Sequence, residues 1–210
     1  MGNRGFVRGS SDYGVGVYLH WNGGRDSVEA FLRYCELKGC RGFGDDEGYA
    51  AARLAQVAAN FIGGTMSVGV YPATYGMDDD NGVYVVDGWK IVGRLNFEGA
   101  EQRDYDLYKM LDAIDLEQPE RERLGEILHT VEVPTSTVKV GDRVVVQAYD
   151  RPELCEVIGI GDDRHVNGTF VKGLPYVGKY GYGEPEDNIN NYIRTTEVLM
   201  YKAGTTRSCA

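Results

Sequence analysis

Cysteine, proline and histidine are scarce in this sequence and long apolar runs are missing, and each shortage narrows what the chain can be. Four cysteines in 210 residues, Cys35, Cys40, Cys155 and Cys209, are too few and too scattered for a disulfide scaffold, so reduced thiols are expected. Cys35 and Cys40 have no second Cys or His pair at zinc-finger spacing, which argues against a structural zinc. No apolar run approaches the roughly 18 residues of a membrane span. Residues 1–12 lack a charged segment leading into an apolar one, and Phe6 breaks the myristoylation pattern after Gly2. The expectation is a cytoplasmic protein that makes no membrane contact. The three histidines, His20, His129 and His165, have no Cys or Ser at a spacing that marks a catalytic pair. G-x-S-x-G, HExxH and Walker sequences are missing too. No catalytic residue, metal or cofactor is therefore assigned. Basic residues are outnumbered, 22 Lys and Arg against 32 Asp and Glu, and the resulting formal charge of −10 argues against direct binding to nucleic acid. A neutral or basic partner is expected.

The apolar pattern predicts an α+β fold. Val15, Val17 and Leu19 alternate with Gly16, Tyr18 and His20 as in a strand, and Asn22-Gly23-Gly24 breaks it. Asp26 with Glu29 reads as a capping pair for a helix whose apolar face is Val28, Phe31, Leu32 and Cys35, ending at Gly39. Leu54, Val57, Ala58 and Phe61 mark a second helix, stopped by Gly63-Gly64. Period-2 segments at Met66 to Val70, Val83 to Val86 and Trp89 to Val92, with Asp87-Gly88 as a tight turn, predict an antiparallel meander. Leu107, Met110, Leu111 and Ile114 predict a third helix, and Pro119 opens a fourth carrying Leu124, Ile127 and Leu128. After His129 the character changes. Residues 131–138, with Pro134, read as a linker or extended crossover, and the remainder is β-like at residues 144–148, 155–160, 169–171 and 192–200. The expected domains are an antiparallel sheet with three or four helices over residues 1–130, a small β-rich domain over 131–202, and a tail over 203–210. Val140-Gly141-Asp142-Arg143-Val144 resembles the opening strand of SH3-like small barrels, and a small barrel or open sheet is expected here, the barrel likeness implying binding.

Residues 17–28 carry the most suggestive chemistry. A strand runs into Asn22-Gly23-Gly24-Arg25-Asp26-Ser27 and then a helix, an order in which adjacent glycines and unpaired helix N–H groups can receive an anion. This stretch resembles the pyrophosphate loop of the ATP pyrophosphatase family. The resemblance implies Gly23, Gly24, Asp26 and Ser27 around phosphates with Arg25 nearby. It covers about a dozen residues, Asn22 stands where that family has serine, and two consecutive helices replace the expected βαβα series. A glycine turn before a capped helix accounts for the same residues without a ligand.

A longer resemblance covers roughly the first 120 residues. Gly2-Asn3-Arg4, the run His20-Trp21-Asn22-Gly23-Gly24-Arg25-Asp26-Ser27, Asp80-Asn81-Gly82-Val83-Tyr84 and Asp87-Gly88-Trp89-Lys90 are similar to an uncharacterised group of small proteins from phages, prophages and mobile elements of Gram-positive bacteria. That implies an accessory protein engaging a host protein or protein complex, including the inhibition of a defence system such as CRISPR-Cas or restriction. A structural phage component is the other role it allows.

Three groups of binding residues are expected. His20, Trp21, Asn22, Arg25 and Asp26 lie around the strand end. Asp78, Asp79 and Asp80 form one of several acidic loops, with Asp45-Asp46-Glu47, Asp162-Asp163 and Glu184 to Asp187, that can imitate phosphates toward a basic nucleic-acid-binding surface. A calcium loop starting at Asp78 is not expected, because Trp89 stands where an EF-hand needs its last glutamate. Tyr176, Tyr180 and Tyr182 lie in a glycine-rich segment where amphipathic rings give contact area at low entropic cost; packing against the second domain's core is the alternative for these rings.

Overall fold

The computed structural model describes residues 3–75, 80–133, 137–148, 151–160, 166–170, 191–193 and 200–203. The chain divides into two units, Met1–Leu128 and His129–Ala210.

The first unit mixes strands and helices in the order β1 (Gly5–Gly9), β2 (Val15–Leu19), α1 (Arg25–Leu37), α2 (Glu47–Ile62), β3 (Val68–Pro72), β4 (Val83–Asp87), β5 (Lys90–Leu95) and α3 (Leu107–Glu117). The predicted helix faces are the buried ones. Val28, Phe31, Leu32 and Cys35 of α1 are essentially fully buried, as are Leu54, Val57 and Ala58 of α2 and Leu111 and Ile114 of α3. The three helices pack on one another, and α2 rests on β1, β2 and β3 while α1 reaches β5. Val7, Val17 and Leu19 meet them from the sheet and are completely buried. Side-chain caps hold two of these helices: Asp46 accepts from the Tyr49 N–H at 3.2 Å, and Asp106 from the Lys109 N–H at 3.0 Å.

Strand positions matched the period-2 pattern, but strand neighbours did not. The sheet order is β3-β2-β1-β4-β5. β3 therefore pairs with β2, while β4 lies between parallel β1 and antiparallel β5. The expected meander is corrected to a mixed sheet in which β3 and β4 run parallel, three strand positions apart. The β4–β5 hairpin turns where predicted, with Asp87 opposite Lys90 and Gly88 at a φ of 57°.

The helix expected from Pro119 is instead two 3-10 turns, Glu120–Glu122 and Gly125–His129. Its apolar residues Leu124, Ile127 and Leu128 are buried all the same. The cause lies in α3: the Asp115 carboxylate accepts from the Leu124 N–H at 2.7 Å and the Gly125 N–H at 3.0 Å, taking two donors that a continuous helix would use internally.

In the second unit β6 (Thr130–Val133), β7 (Arg143–Ala148), β8 (Arg151–Ile160), β9 (Val166–Phe170), β10 (Asn191–Ile193) and β11 (Met200–Ala203) form one sheet in the order β10-β9-β8-β7-β11-β6, every described pairing antiparallel. Residues 131–133, read from sequence as the start of a linker or extended crossover, belong to strand β6, for which β11 supplies the hydrogen-bond partners from some seventy residues further on. Gly141, at a φ of 88°, makes the turn that launches β7: its N–H donates to the Val157 carbonyl at 2.8 Å, and the Lys139 N–H to the Asp142 carboxylate at 2.9 Å. Residues 204–210 of the expected tail lie outside the described residues.

Candidate functional site

Beyond β2 the chain stays close to the sheet. The His20 N–H donates to the Ser67 carbonyl at 2.8 Å, and Asn22 then takes a φ of 56°, a left-handed conformation that asparagine tolerates better than most residues. Gly23 follows, and its use is structural. Its N–H donates to the Asn3 carbonyl at 2.6 Å, its carbonyl accepts the Tyr84 hydroxyl at 2.9 Å, and a Cβ here would stand 2.4 Å from the Gly5 nitrogen. The glycine lets the loop lie against the backbone entering β1.

The helix end is already furnished with protein groups. Gly24 is the N-cap of α1, with no side-chain cap, so the capping role expected of Asp26 is corrected: Asp26 sits inside the first turn. The reason is the extended backbone of Gly24, which starts the helix at Arg25 rather than after Asp26. The Asp26 N–H donates to the Gln102 side-chain oxygen at 3.4 Å, and the Asp26 carboxylate accepts from the Ser27 hydroxyl at 3.3 Å. Glu29, expected to complete the capping box, instead pairs with Arg25 at 3.4 Å and accepts the Tyr105 hydroxyl. Burial, followed by this bond, pushes the Tyr105 phenol up to about 12.

Two arginines and Glu101 extend the same network. Arg25 reaches Glu101 at 3.1 Å, and Arg94 reaches both oxygens of Glu101 at 2.9 and 3.0 Å. The Arg94 guanidinium lies 3.7 Å from the centre of the Tyr84 ring and 3.9 Å from that of Phe97, and it donates twice to the Asn81 carbonyl, at 2.8 and 2.6 Å. Partial burial works against the Arg25 charge, yet the Glu101 and Glu29 carboxylates outweigh it and raise its pKa. An anion arriving at Gly24 meets Asp26, Glu29 and Glu101, with both nearby guanidiniums engaged by carboxylates.

A second arrangement grows from the other face of the sheet, away from the helices. Rings succeed one another from the end of β2 to β1: Trp21 edge-on to His20 at 4.9 Å, His20 to Tyr18 at 6.0 Å, Tyr18 to Tyr71 at 6.2 Å, Tyr71 stacked on Tyr75 at 4.3 Å, and Tyr75 to Phe6 at 6.4 Å. The Tyr18 hydroxyl and His20 Nδ1 share a hydrogen bond of 2.8 Å, which fixes the imidazole within the row. Phe6 and Val83 form its buried floor. Trp21 and Tyr75, 45% and 43% exposed, are its exposed members.

Of the residues singled out from sequence, His20 and Trp21 join this row, Asn22 lies in the glycine loop, and Arg25 and Asp26 form the first turn of α1. Asp80 pairs with Arg4, its Oδ2 3.4 Å from the guanidinium Nε and 3.2 Å from the Arg4 N–H, and those bonds lower its pKa. Asp78, Asp79, Tyr176, Tyr180 and Tyr182 lie outside the described residues. Tyr18, Tyr71, Tyr75 and Phe6 escaped sequence reading. The signal was present in β2, where Gly16, Tyr18 and His20 alternate with the apolar set that faces the helices. Among the described residues no group of three or more His, Cys, Asp or Glu is placed to hold a metal, and no helix is long and apolar enough to cross a membrane. No family model, curated protein or solved structure matches the chain.

Proposed function

We propose that this protein works by binding a host protein or protein complex, and that the aromatic row from Trp21 to Tyr75 is its contact surface. The observation that carries the reading is the row itself: six rings in succession, anchored on a buried Phe6 and including two half-exposed side chains of the types that dominate binding hot spots. The tyrosine and histidine rings are pre-positioned by packing and by the Tyr18–His20 bond, so little side-chain entropy is lost on association. With a net charge of −10 the chain favours a neutral or basic partner surface, such as one that otherwise holds nucleic acid. The likeness of the His20 to Ser27 run to proteins of mobile elements gives the setting: a phage or prophage accessory protein acting on host machinery, including a defence system.

A barrel-like second unit belongs to the same reading. β8 pairs with β7 over Arg151–Glu156 and with β9 over Cys155–Ile160, and the register with β9 shifts between Val157 and Gly159, as in strands that bend to let a sheet curl.

Nucleotide or phosphate handling at Gly23 to Ser27 is the less supported alternative, because carboxylates crowd that helix end. Both readings are tested together by titrating a fluorescent nucleotide and by affinity capture with Trp21→Ala/Tyr75→Ala and Asp26→Ala variants. Capture that depends on the rings, with no nucleotide binding, supports a binding protein; saturable nucleotide binding that Asp26→Ala removes supports the alternative.

A further inference from the structure

The end of α1 brings two thiols together by a backbone rule. Lys38 is the C-cap, Gly39 takes a φ of 71°, the Gly39 N–H donates to the Glu36 carbonyl at 2.9 Å, and the Cys40 N–H donates to the Cys35 carbonyl at 3.1 Å. This is the Schellman arrangement, whose outermost donor and acceptor residues commonly touch through an apolar pair of side chains. Here both positions are cysteine. The two thiols are free, Cys35 fully buried and Cys40 partly exposed, and each shifts the pKa of the other. The Trp89 indole N–H donates to the Cys40 carbonyl at 2.8 Å and holds that backbone in place.

We propose that Cys35 and Cys40 are a redox-active dithiol that closes to an intramolecular disulfide when a hydroperoxide reaches Cys40. Exposure and charge both assign the first step to Cys40. The neighbouring Cys35 thiol lowers the Cys40 pKa against the opposing effect of burial, with Lys38 and Arg53 favouring the thiolate and Glu122 opposing it. Burial, then the Cys40 partner, pushes Cys35 up, so it keeps its proton. The Cys40 thiolate attacks one peroxide oxygen, the O–O bond breaks, and water leaves when hydrogen peroxide is the oxidant, giving Cys40 sulfenic acid. The Cys35 sulfur then attacks the Cys40 sulfur, the S–O bond breaks, and the Cys35 proton departs with the hydroxide as a second water. Two thiols are oxidised by two electrons in total and one peroxide is reduced to two waters.

The test uses the full reduced chain treated with equimolar hydrogen peroxide, alkylated, digested with trypsin and analysed by mass spectrometry. Cleavage after Arg33, Lys38 and Arg41 separates the cysteines into peptides 34–38 and 39–41. The expected product is these two peptides joined by a disulfide, with the intact chain lighter by about 2 Da. A Cys155→Ser/Cys209→Ser chain should give the same product, since only the capped pair then remains. In Cys35→Ser, dimedone should trap a sulfenic acid at Cys40. Peptides that stay separate and fully alkylated, or Cys40 joined to Cys155 or Cys209 instead, would overturn the proposal.

Discussion

The Tyr84 hydroxyl donates to the Gly23 carbonyl at 2.9 Å, tying a central strand of the sheet to the loop that launches α1. Tyr84 is fully buried, and burial pushes its phenol far above the ordinary range, so it remains a donor at any working pH. Tyr84→Phe keeps the ring under Arg94 but leaves the Gly23 carbonyl without this partner. A loss of about 1–3 kcal/mol is expected from urea unfolding.

Gly23→Ala is expected to cost more. Its Cβ would meet backbone on three sides, at 2.4 Å from the Gly5 nitrogen, 2.5 Å from the Arg4 carbonyl carbon and 2.7 Å from the Asn3 oxygen. Backbone cannot step aside as a flexible side chain can, so a loss of at least about 3 kcal/mol, or no folded protein in a thermal melt, is the expected outcome.

Much of this fold was legible in the sequence because periodicity reports directly on burial. Val28, Phe31, Leu32 and Cys35 had to share one helix face, and Val15, Val17 and Leu19 one face of a strand. Neighbour relations were not legible: the pattern of β4 is the same whether it pairs with β3 or with β1, and only the parallel register of Phe6 with Val83 decides it. The candidate site was half visible for the same reason. His20 and Trp21 drew attention as a pair, but their row is completed by Tyr71, Tyr75 and Phe6, which the sheet order alone brings near. The acidic and tyrosine loops at Asp78, Asp79 and Tyr176 to Tyr182 fall outside the described residues.

Asp115 organises the end of the first unit. Its carboxylate accepts the buried Tyr34 hydroxyl at 2.6 Å as well as the Leu124 and Gly125 N–H groups. Asp115→Ala strands three donors, and a loss of about 2–4 kcal/mol is expected. Tyr34→Phe removes one donor and leaves the other two bonds intact, so urea unfolding should show a clearly smaller loss.

Acid should weaken the contact between α1 and the turn after α3. Lys38 Nζ donates to Glu122 Oε2 at 2.8 Å, and that bond holds Glu122 below its ordinary value of 4.5 against the opposing effect of burial. The unfolded chain takes up this proton first as pH falls, so the contribution is complete above pH 4.5 and is lost as pH drops through the lower folded value. Urea midpoints measured across the acid range should fall less steeply for Lys38→Met than for the native chain.

The proposed contact surface is tested most directly by quantitative affinity capture from a Gram-positive lysate at moderate salt, comparing the tagged native chain, Trp21→Ala/Tyr75→Ala and Asp26→Ala, each shown beforehand to be folded. Loss of two half-exposed aromatic anchors should weaken a protein complex by at least about tenfold. A stoichiometric host complex held by the native chain and by Asp26→Ala, and depleted by that factor on the ring variant, is the expected result. A complex retained equally by the ring variant, or lost only with Asp26→Ala, contradicts the aromatic row as the working surface.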